Sequence, residues 1–573
     1  MNILGLNAAF HDSSACLVQN GAVVAAAEEE RFSRIKHAKR ATPYMAHALP
    51  FNAIDYCLAA GGLTIDDVDQ VAYSFDPFLL LHDQGEHSPP FALPRDAADA
   101  ARGPGYDPWQ SVFLAGITAA PRMLTDDVPF HLRERLTANG GGGPRRFDFV
   151  EHHVAHAASA FFPSPFDRAA ILTLDGRGEE VSTLMAVGEG LTLEKVQEVR
   201  LPSSLGLLYE RVTEHLGFLR SSDEYKVMAL ASYGTPRYAD DVRSLIHWCG
   251  DGRYEILPAR LDDVVGPARQ PKSPFEARHF DVAASLQLVL EESALRIADW
   301  LFDQTGEENL CLAGGVALNC VMNARLLRES RFQRVWVQPA AGDAGTSLGA
   351  ALSVWASGPD AGAGGRWRMR DAYLGPAFDD AAVTAALEHA HLSVPRSPDV
   401  AAAAAACLAE GKVVGWFQGR MEFGPRALGA RSILGSPADP AMMHRLNLLK
   451  DREDFRPVAP AVLAEEAPAY FADCDESPFM LFVYDVRPEV APRVPAIRHV
   501  DGTARAQTVS RSESPLFHRL ISRFRDRTGL PVVVNTSFNT RSQPIVCTPQ
   551  DALACFYTSP IDALALGDYL LVK

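Results

Sequence analysis

The chain opens on short apolar runs separated by polar turns. Residues 1–7 and 14–18 are apolar, the loop Phe10-His11-Asp12-Ser13 lies between them, and Asn20-Gly21 leads into a third run at 22–28. Runs of this length bounded by turn residues predict strands, and Asn-Gly is a strong hairpin signal. The same order returns at 170–174, the loop Asp175-Gly176-Arg177-Gly178-Glu179-Glu180, and 181–187. Two hairpins with phosphate-sized loops predict an internally duplicated nucleotide-binding fold. Residues 309–313 form another apolar run, which ends in Gly314-Gly315; a helix is expected through 323–327. Residues 335–339 read as a strand, and Asp343 opens a helix of small residues, where an acid caps free amides. Asp399 is placed to cap an alanine-rich helix that Gly411 stops. A strand at 412–417 then leads into a glycine-studded turn and helix start at 418–433, and a strand at 530–535 into the polar turn Ser537-Phe538-Asn539.

Length and composition narrow the class. At 573 residues the chain exceeds what one core supports. The glycine-rich stretch 357–365 is linker-like. The expected division is 1–356, a linker at 357–370, and 371–573. No apolar run is long enough to span a bilayer, and the first residues lack the order of a signal peptide. Nine cysteines without a Cys-x-x-Cys pair suit reduced thiols, so a cytoplasmic protein is expected. A formal net charge of −17 disfavours a nucleic-acid partner, whose footprint is basic, but leaves room for small anions in a local basic pocket.

Candidate chemistry falls at two places. His152 and His156 stand four apart, on one face of a helix if the segment is helical. With Asp175 and Asp343 they make a ligand set suited to iron, zinc or manganese rather than calcium. Gly314-Gly315 allows backbone to approach a flat ligand, and with Gly176 and Asn319 it supplies the nucleotide-binding candidates of this half. The second place is cationic: Arg420, Arg426, Arg431, Arg445, Lys450, Arg452 and Arg456 crowd into one stretch of an acidic chain. Guanidinium forks match phosphate oxygens.

Phe10-His11-Asp12, the run Ala27-Glu28-Glu29-Glu30-Arg31-Phe32-Ser33-Arg34-Ile35-Lys36-His37, Ser203-Ser204-Leu205-Gly206 and Asp223-Glu224-Tyr225-Lys226-Val227-Met228 together carry a family pattern. On these residues the chain resembles the O-carbamoyltransferases of the antibiotic and nodulation-factor type over nearly its whole length. The resemblance implies an α/β protein. Its N-terminal part would be similar to the metal- and ATP-binding domain of the tRNA threonylcarbamoyladenosine enzymes, with the duplicated actin, sugar-kinase and heat-shock-ATPase fold; its C-terminal domain would be YrdC-like. It also implies ATP, with Mg2+, and carbamoyl phosphate as co-substrates, carbamoyl adenylate as intermediate, and a sugar hydroxyl of an antibiotic or other natural product as acceptor. Residue by residue, carbamoyl phosphate and ATP fall to Arg426, Lys450, Arg456, Arg505, Ser537 and Asn539, with Arg420, Arg431 and Arg541 behind them. His11 is the implied general base and Asp12 its partner. Lys36, Asp223 and Glu224 are expected to touch phosphate or acceptor, with Lys226 two positions on. Fe2+, or Zn2+ or Mn2+, is expected on His152, His156, Asp175 and Asp343.

Three rivals stand beside this expectation: an enzyme with tRNA as acceptor, a small-molecule kinase of the shared fold, and a non-catalytic nucleotide-binding module. The kinase leaves the second arginine-rich half without a purpose. The segment 76–151 does not follow the pattern; its aromatics, Phe78, Tyr106 and Trp109, and Phe75 just before it, suit a sugar face or a core equally. The acceptor and the oligomeric state stay open at this level.

Overall fold

The computed structural model describes residues 1–38, 49–82, 116–118, 120, 121, 124, 146–359, 361, 362, 365–540 and 543–573. Arg541, Tyr106 and Trp109 lie outside these residues, as does most of the 76–151 segment.

The duplication is visible in the sheets. Strands β1 (Asn2–Asn7), β2 (Ser14–Gln19), β3 (Ala22–Glu28), β4 (Gln70–Tyr73) and β5 (Arg146–Phe149) form one sheet in the order β3-β2-β1-β4-β5. Strands β6 (Arg168–Leu174), β7 (Val181–Glu189) and β8 (Thr192–Arg200) pack with β11 (Asn309–Ala313) and β12 (Arg334–Val337) in the order β12-β11-β6-β7-β8. Each sheet is an antiparallel three-stranded meander extended by two parallel strands, so strand for strand the second repeats the first. A small hairpin, β9 (Ile246–Trp248) with β10 (Tyr254–Ile256), stands apart.

The third sheet belongs to the C-terminal half. It contains β13 (Val414–Phe417), β14 (Arg431–Gly435), β15 (Ala459–Leu463), then β18 (Gln507–Val509), β19 (Val532–Ser537), β20 (Ala563–Leu566) and β21 (Tyr569–Val572), in the order β18-β15-β19-β14-β13-β20-β21. The ribbon β16 (Tyr484–Asp485) with β17 (Thr503–Ala504) lies outside it. The expected helix start within 418–433 is absent; the segment is a loop that enters β14. Gly424 and Gly429 hold φ of 117° and 110°, which a helix cannot contain, and the buried Glu422 carboxylate accepts the amides of Leu428, Ala430 and Arg431 instead. Asp399 does cap the helix Val400–Ala409, through the Ala402 amide.

The stretch after the glycine-rich segment is pinned to the first half. Met369 donates its amide to the Pro163 carbonyl, and Arg368 donates to the Pro165 carbonyl and to Asp167. Buried apolar residues of the second and third sheets belong to one continuous cluster.

One close approach places the histidine helix. Helix Ala344–Ala356 lies against helix His152–Phe161, and a Cβ on Gly349 would stand 1.8 Å from the Ala155 carbonyl oxygen. The run of small residues after Asp343 is therefore a packing device that lets two helix backbones touch. Gly349→Ala must push them apart. It is expected to cost about 1–3 kcal/mol and to lower the midpoint of thermal unfolding; calorimetry showing an unchanged midpoint would mean the helices part freely.

Candidate functional site

A single cavity of about 1990 Å3 is lined by residues of both halves, among them His11, Asp12, Asp175, Asp343, Arg426, Lys450, Arg456 and Asn539. Asp175 and Asp343 line its N-terminal end, and the buried His152 and His156 lie behind them. His152 Nε2 lies 3.8 Å from Asp175 Oδ2 and 3.6 Å from Asp343 Oδ1, and His156 Nε2 lies 3.6 Å from Asp343 Oδ1. All four side chains are buried. His152 Nδ1 donates to the Ser74 carbonyl at 3.1 Å, so its Nε2 carries a lone pair toward the carboxylates. The Nε2 atoms of His152 and His156 have no hydrogen-bond partner. Orphaned imidazole nitrogens facing carboxylates at this spacing fit a first-row transition metal.

The surrounding turns fix the set. Gly315 donates its amide to Asp175 Oδ1 at 2.6 Å. Gly314, at φ 90°, has room for no side chain, because a Cβ would lie 2.2 Å from the Leu174 carbonyl oxygen. Asp343 precedes its helix but makes no side-chain cap, which corrects the capping role; its carboxylate faces the histidines instead. Buried Glu179 accepts the amides of His152 and Asp76 and so serves the histidine helix as a cap from another loop. Burial pushes that carboxyl up to about 7. Burial opposes charge on His152, yet Asp175 and Asp343 hold it well above the ordinary imidazole value when no ion screens them. Gly176 and Asn319 also line the cavity. The Asn319 side chain is already used, capping helix Cys320–Glu329 through Met322 and pairing with Gln287.

His11 and Asp12 stand on the cavity wall with a residue the sequence did not single out. His11 Nδ1 lies 3.0 Å from one Asp12 oxygen and His37 Nδ1 2.8 Å from the other. Burial would raise the Asp12 carboxyl, but the two histidines hold it well below the usual range. Lys36 lines the same wall. Glu224 and Lys226 lie in the first turn of helix Glu224–Ala231. Burial, then Glu210, pushes the Glu224 carboxyl up to about 7. Asp223 pairs with Lys226 at 3.1 Å, and Lys226 reaches Glu453 of the other half at 3.1 Å. Between them the Tyr225 ring lies with Arg456 4.5 Å and Lys36 6.0 Å from its centroid.

The C-terminal end is a pocket of cations. Lys450 is buried and donates to Ser537 Oγ at 2.9 Å and to Asn539 Oδ1 at 2.6 Å. Burial, then Arg452 and Arg456, forces its ammonium well below the ordinary value. Arg426 is pushed down to about 9 by burial and Arg505, and Arg452 to about 9 by burial and Arg456. Arg426, Arg452 and Arg505 each keep a buried N–H without a partner. Like charges crowded out of water with unused donors describe a receptor for a multivalent anion. Arg452 joins the expected set here.

Arg420 and Arg431 do not. Arg420 donates to the carbonyls of Leu374, Val24 and Gly375, and fully buried Arg431 to those of Gln418, Gly419, Ala430 and Pro376. Both satisfy backbone. The acidic-basic run after β3 has a similar task. Arg31 is paired with Glu28 and Glu30 and donates to the Gly424 carbonyl, while Arg34 donates to the carbonyls of Ile545 and Pro544. Arg31 and Arg34 thus join the two halves.

The family description "Carbamoyltransferase N-terminus" matches residues 2–78 and 144–352, and "Carbamoyltransferase C-terminus" matches 405–573. The chain belongs to the carbamoyltransferase family. It is an enzyme of carbamoyl transfer, and its first half is a duplicated α/β fold. An uncharacterized protein of Synechocystis sp. is 41% identical over 100% of this chain and 97% of its own length. Nodulation protein NolNO of Sinorhizobium fredii is 39% identical over 99% of this chain and 80% of its own. The 3'-hydroxymethylcephem-O-carbamoyltransferase of Streptomyces clavuligerus is 33% identical over 61% of this chain and 64% of its own. Among the described residues no helix is long and apolar enough to cross a membrane.

Purified carbamoyltransferase is expected to carry a first-row metal, measured by plasma mass spectrometry. His152→Ala and Asp343→Asn should each remove most of it, whereas Arg420→Met should not; metal retained in both ligand variants would place the ion elsewhere.

Proposed function

We propose that this chain is an ATP-dependent O-carbamoyltransferase that moves a carbamoyl group from carbamoyl phosphate, through carbamoyl adenylate, to a sugar hydroxyl of an antibiotic or other natural product. The observation that carries it is the one cavity joining a cationic receptor to a buried metal-ligand set and a histidine–aspartate pair.

In the C-terminal end, Arg426, Lys450, Arg452, Arg456 and Arg505 neutralise carbamoyl phosphate and the phosphates of ATP, which brings Mg2+ with it, while Ser537 and Asn539 fix Lys450. Water hydrolyses carbamoyl phosphate, giving carbamate and inorganic phosphate. A carbamate oxygen attacks the α-phosphorus of ATP, pyrophosphate leaves, and carbamoyl adenylate remains. The arginines offset negative charge where it gathers, the main electrostatic contribution in phosphoryl chemistry. Carbamate and its adenylate decompose in water, so a shared cavity gives an internal route.

At the other end the acceptor hydroxyl attacks the carbamoyl carbon and AMP departs with the bridging oxygen. His11 takes the hydroxyl proton as the bond forms. Glu224, Asp223 and Lys36, which line the cavity, would hold acceptor or phosphate. His152, His156, Asp175 and Asp343 would hold Fe2+, or Zn2+ or Mn2+, which supplies Lewis-acid stabilisation of the leaving phosphate when bound. Gly176 and Gly315 would let the nucleotide approach the backbone.

The test is incubation of the full chain with carbamoyl phosphate, ATP and, in turn, an aminoglycoside, a glycosylated macrolide and a 3'-hydroxymethylcephem. Mass spectrometry is expected to show one added carbamoyl unit with AMP and pyrophosphate. His11→Asn should keep the first-turnover pyrophosphate burst and lose transfer by roughly 10²–10⁴-fold. Arg456→Ala should lose both. ADP as product, or a burst abolished by His11→Asn, would overturn the assignment.

A further inference from the structure

The transfer end of the cavity holds a second histidine that the chemistry above leaves unused. His37 comes from the turn after helix Glu30–Ser33, whereas His11 and Asp12 come from the loop after β1. The two imidazole rings lie with centroids 4.0 Å apart and divide one carboxylate, His11 Nδ1 on Asp12 Oδ2 and His37 Nδ1 on Asp12 Oδ1. His37 Nε2 continues to Ser222 Oγ at 3.1 Å. The backbone holds this ring in place: His37 sits at φ 61° and donates its amide to Glu30 Oε2 at 2.7 Å.

We propose that His37 is a positioning residue for carbamoyl transfer, acting through Asp12 to fix the tautomer and basicity of His11. An ionised carboxylate only accepts hydrogen bonds, so each ring facing it must carry its proton on Nδ1. Neutral His11 then bears its lone pair on Nε2, the form in which it can take a proton from a hydroxyl. His37, in the same tautomer, accepts from the Ser222 hydroxyl at Nε2 and spends its Nδ1–H on Asp12. Asp12 therefore shares its negative charge between two donors. Without His37 the whole carboxylate charge would fall on His11, favour its imidazolium and remove base at neutral pH. Other charges face the unit from each side: Glu30 and Arg31 from the preceding helix, Lys36 beside His37, and Glu224, whose carboxyl acts on His11 from helix Glu224–Ala231. They stay in place in the variants below and so cancel in the comparison.

This rests on His11 serving as the base in the function proposed above, and the experiment separates the two. The full chain, His37→Leu and His37→Asn are compared with the most active of the three acceptors. Asparagine tolerates a positive φ and sets an amide nitrogen near the place of Nδ1. His37→Leu is expected to slow transfer roughly tenfold, with the pyrophosphate burst intact. The acidic limb of its kcat/KM profile should move upward by about one pH unit, since base is lost at a higher pH. His37→Asn should restore both rate and limb. Nitrogen-15 histidine spectra of the unaltered protein should show His11 and His37 protonated at Nδ1, a readout that stands even if His37→Leu does not fold. An Nε2–H tautomer at either ring, an unmoved limb in folded His37→Leu, or loss of a metal equivalent in His37→Leu would overturn the proposal, the last by making the three side chains an ion site. No carbamoyl-phosphate-dependent pyrophosphate from the unaltered protein would instead sink the parent function, leaving the tautomers to be judged alone.

Discussion

A buried guanidinium holds the two halves of this carbamoyltransferase in register. Arg31 is 3% exposed, pairs with Glu28 at 2.8 Å and with Glu30, and passes on to the Gly424 carbonyl; Glu28 in turn accepts the Gly424 amide at 2.9 Å. Removing one member of such a group leaves an unpaired charge out of water, a loss on the order of 3–5 kcal/mol. Arg34 and Arg420 reinforce the joint by donating to carbonyls across it. The cavity exists as one space because these contacts fix the walls that each half supplies.

The two ends of that space pose opposite electrostatic problems. At one, five cations crowd together and several of their buried N–H groups find no protein acceptor; at the other, two imidazole nitrogens and two carboxylates converge. Each cluster invites a ligand of complementary charge, and such a ligand should stabilise the fold as it binds.

Much of this was legible in the chain, and the limits are physical. The hairpin runs, the Asn20-Gly21 turn, the i,i+4 histidines and the small-residue helix after Asp343 are local patterns that period and turn chemistry reveal. Ligand sets from three separate turns were reachable because each carries its own glycine or helix signal. Arg420 and Arg431 misled: in sequence they are indistinguishable from Arg426, and only tertiary partners show that they serve carbonyls. Glu179 and His37 were missed for the same reason, since a cap and a carboxylate partner supplied from another loop leave no spacing to read. The helix expected before β14 failed against Gly424, Gly429 and the three amides held by Glu422.

The Tyr225 ring, set between Lys36 of one end and Arg456 of the other, has a consequence for traffic. It rides on a helix tied across the joint by Lys226 and Glu453, so it is a fixed sill more than a swinging door. A labile acyl phosphate crossing that sill would meet an aromatic face flanked by positive charge in place of bulk solvent. Fidelity in such an enzyme would then depend less on how tightly each end grips its cargo than on how seldom the cargo leaks between them.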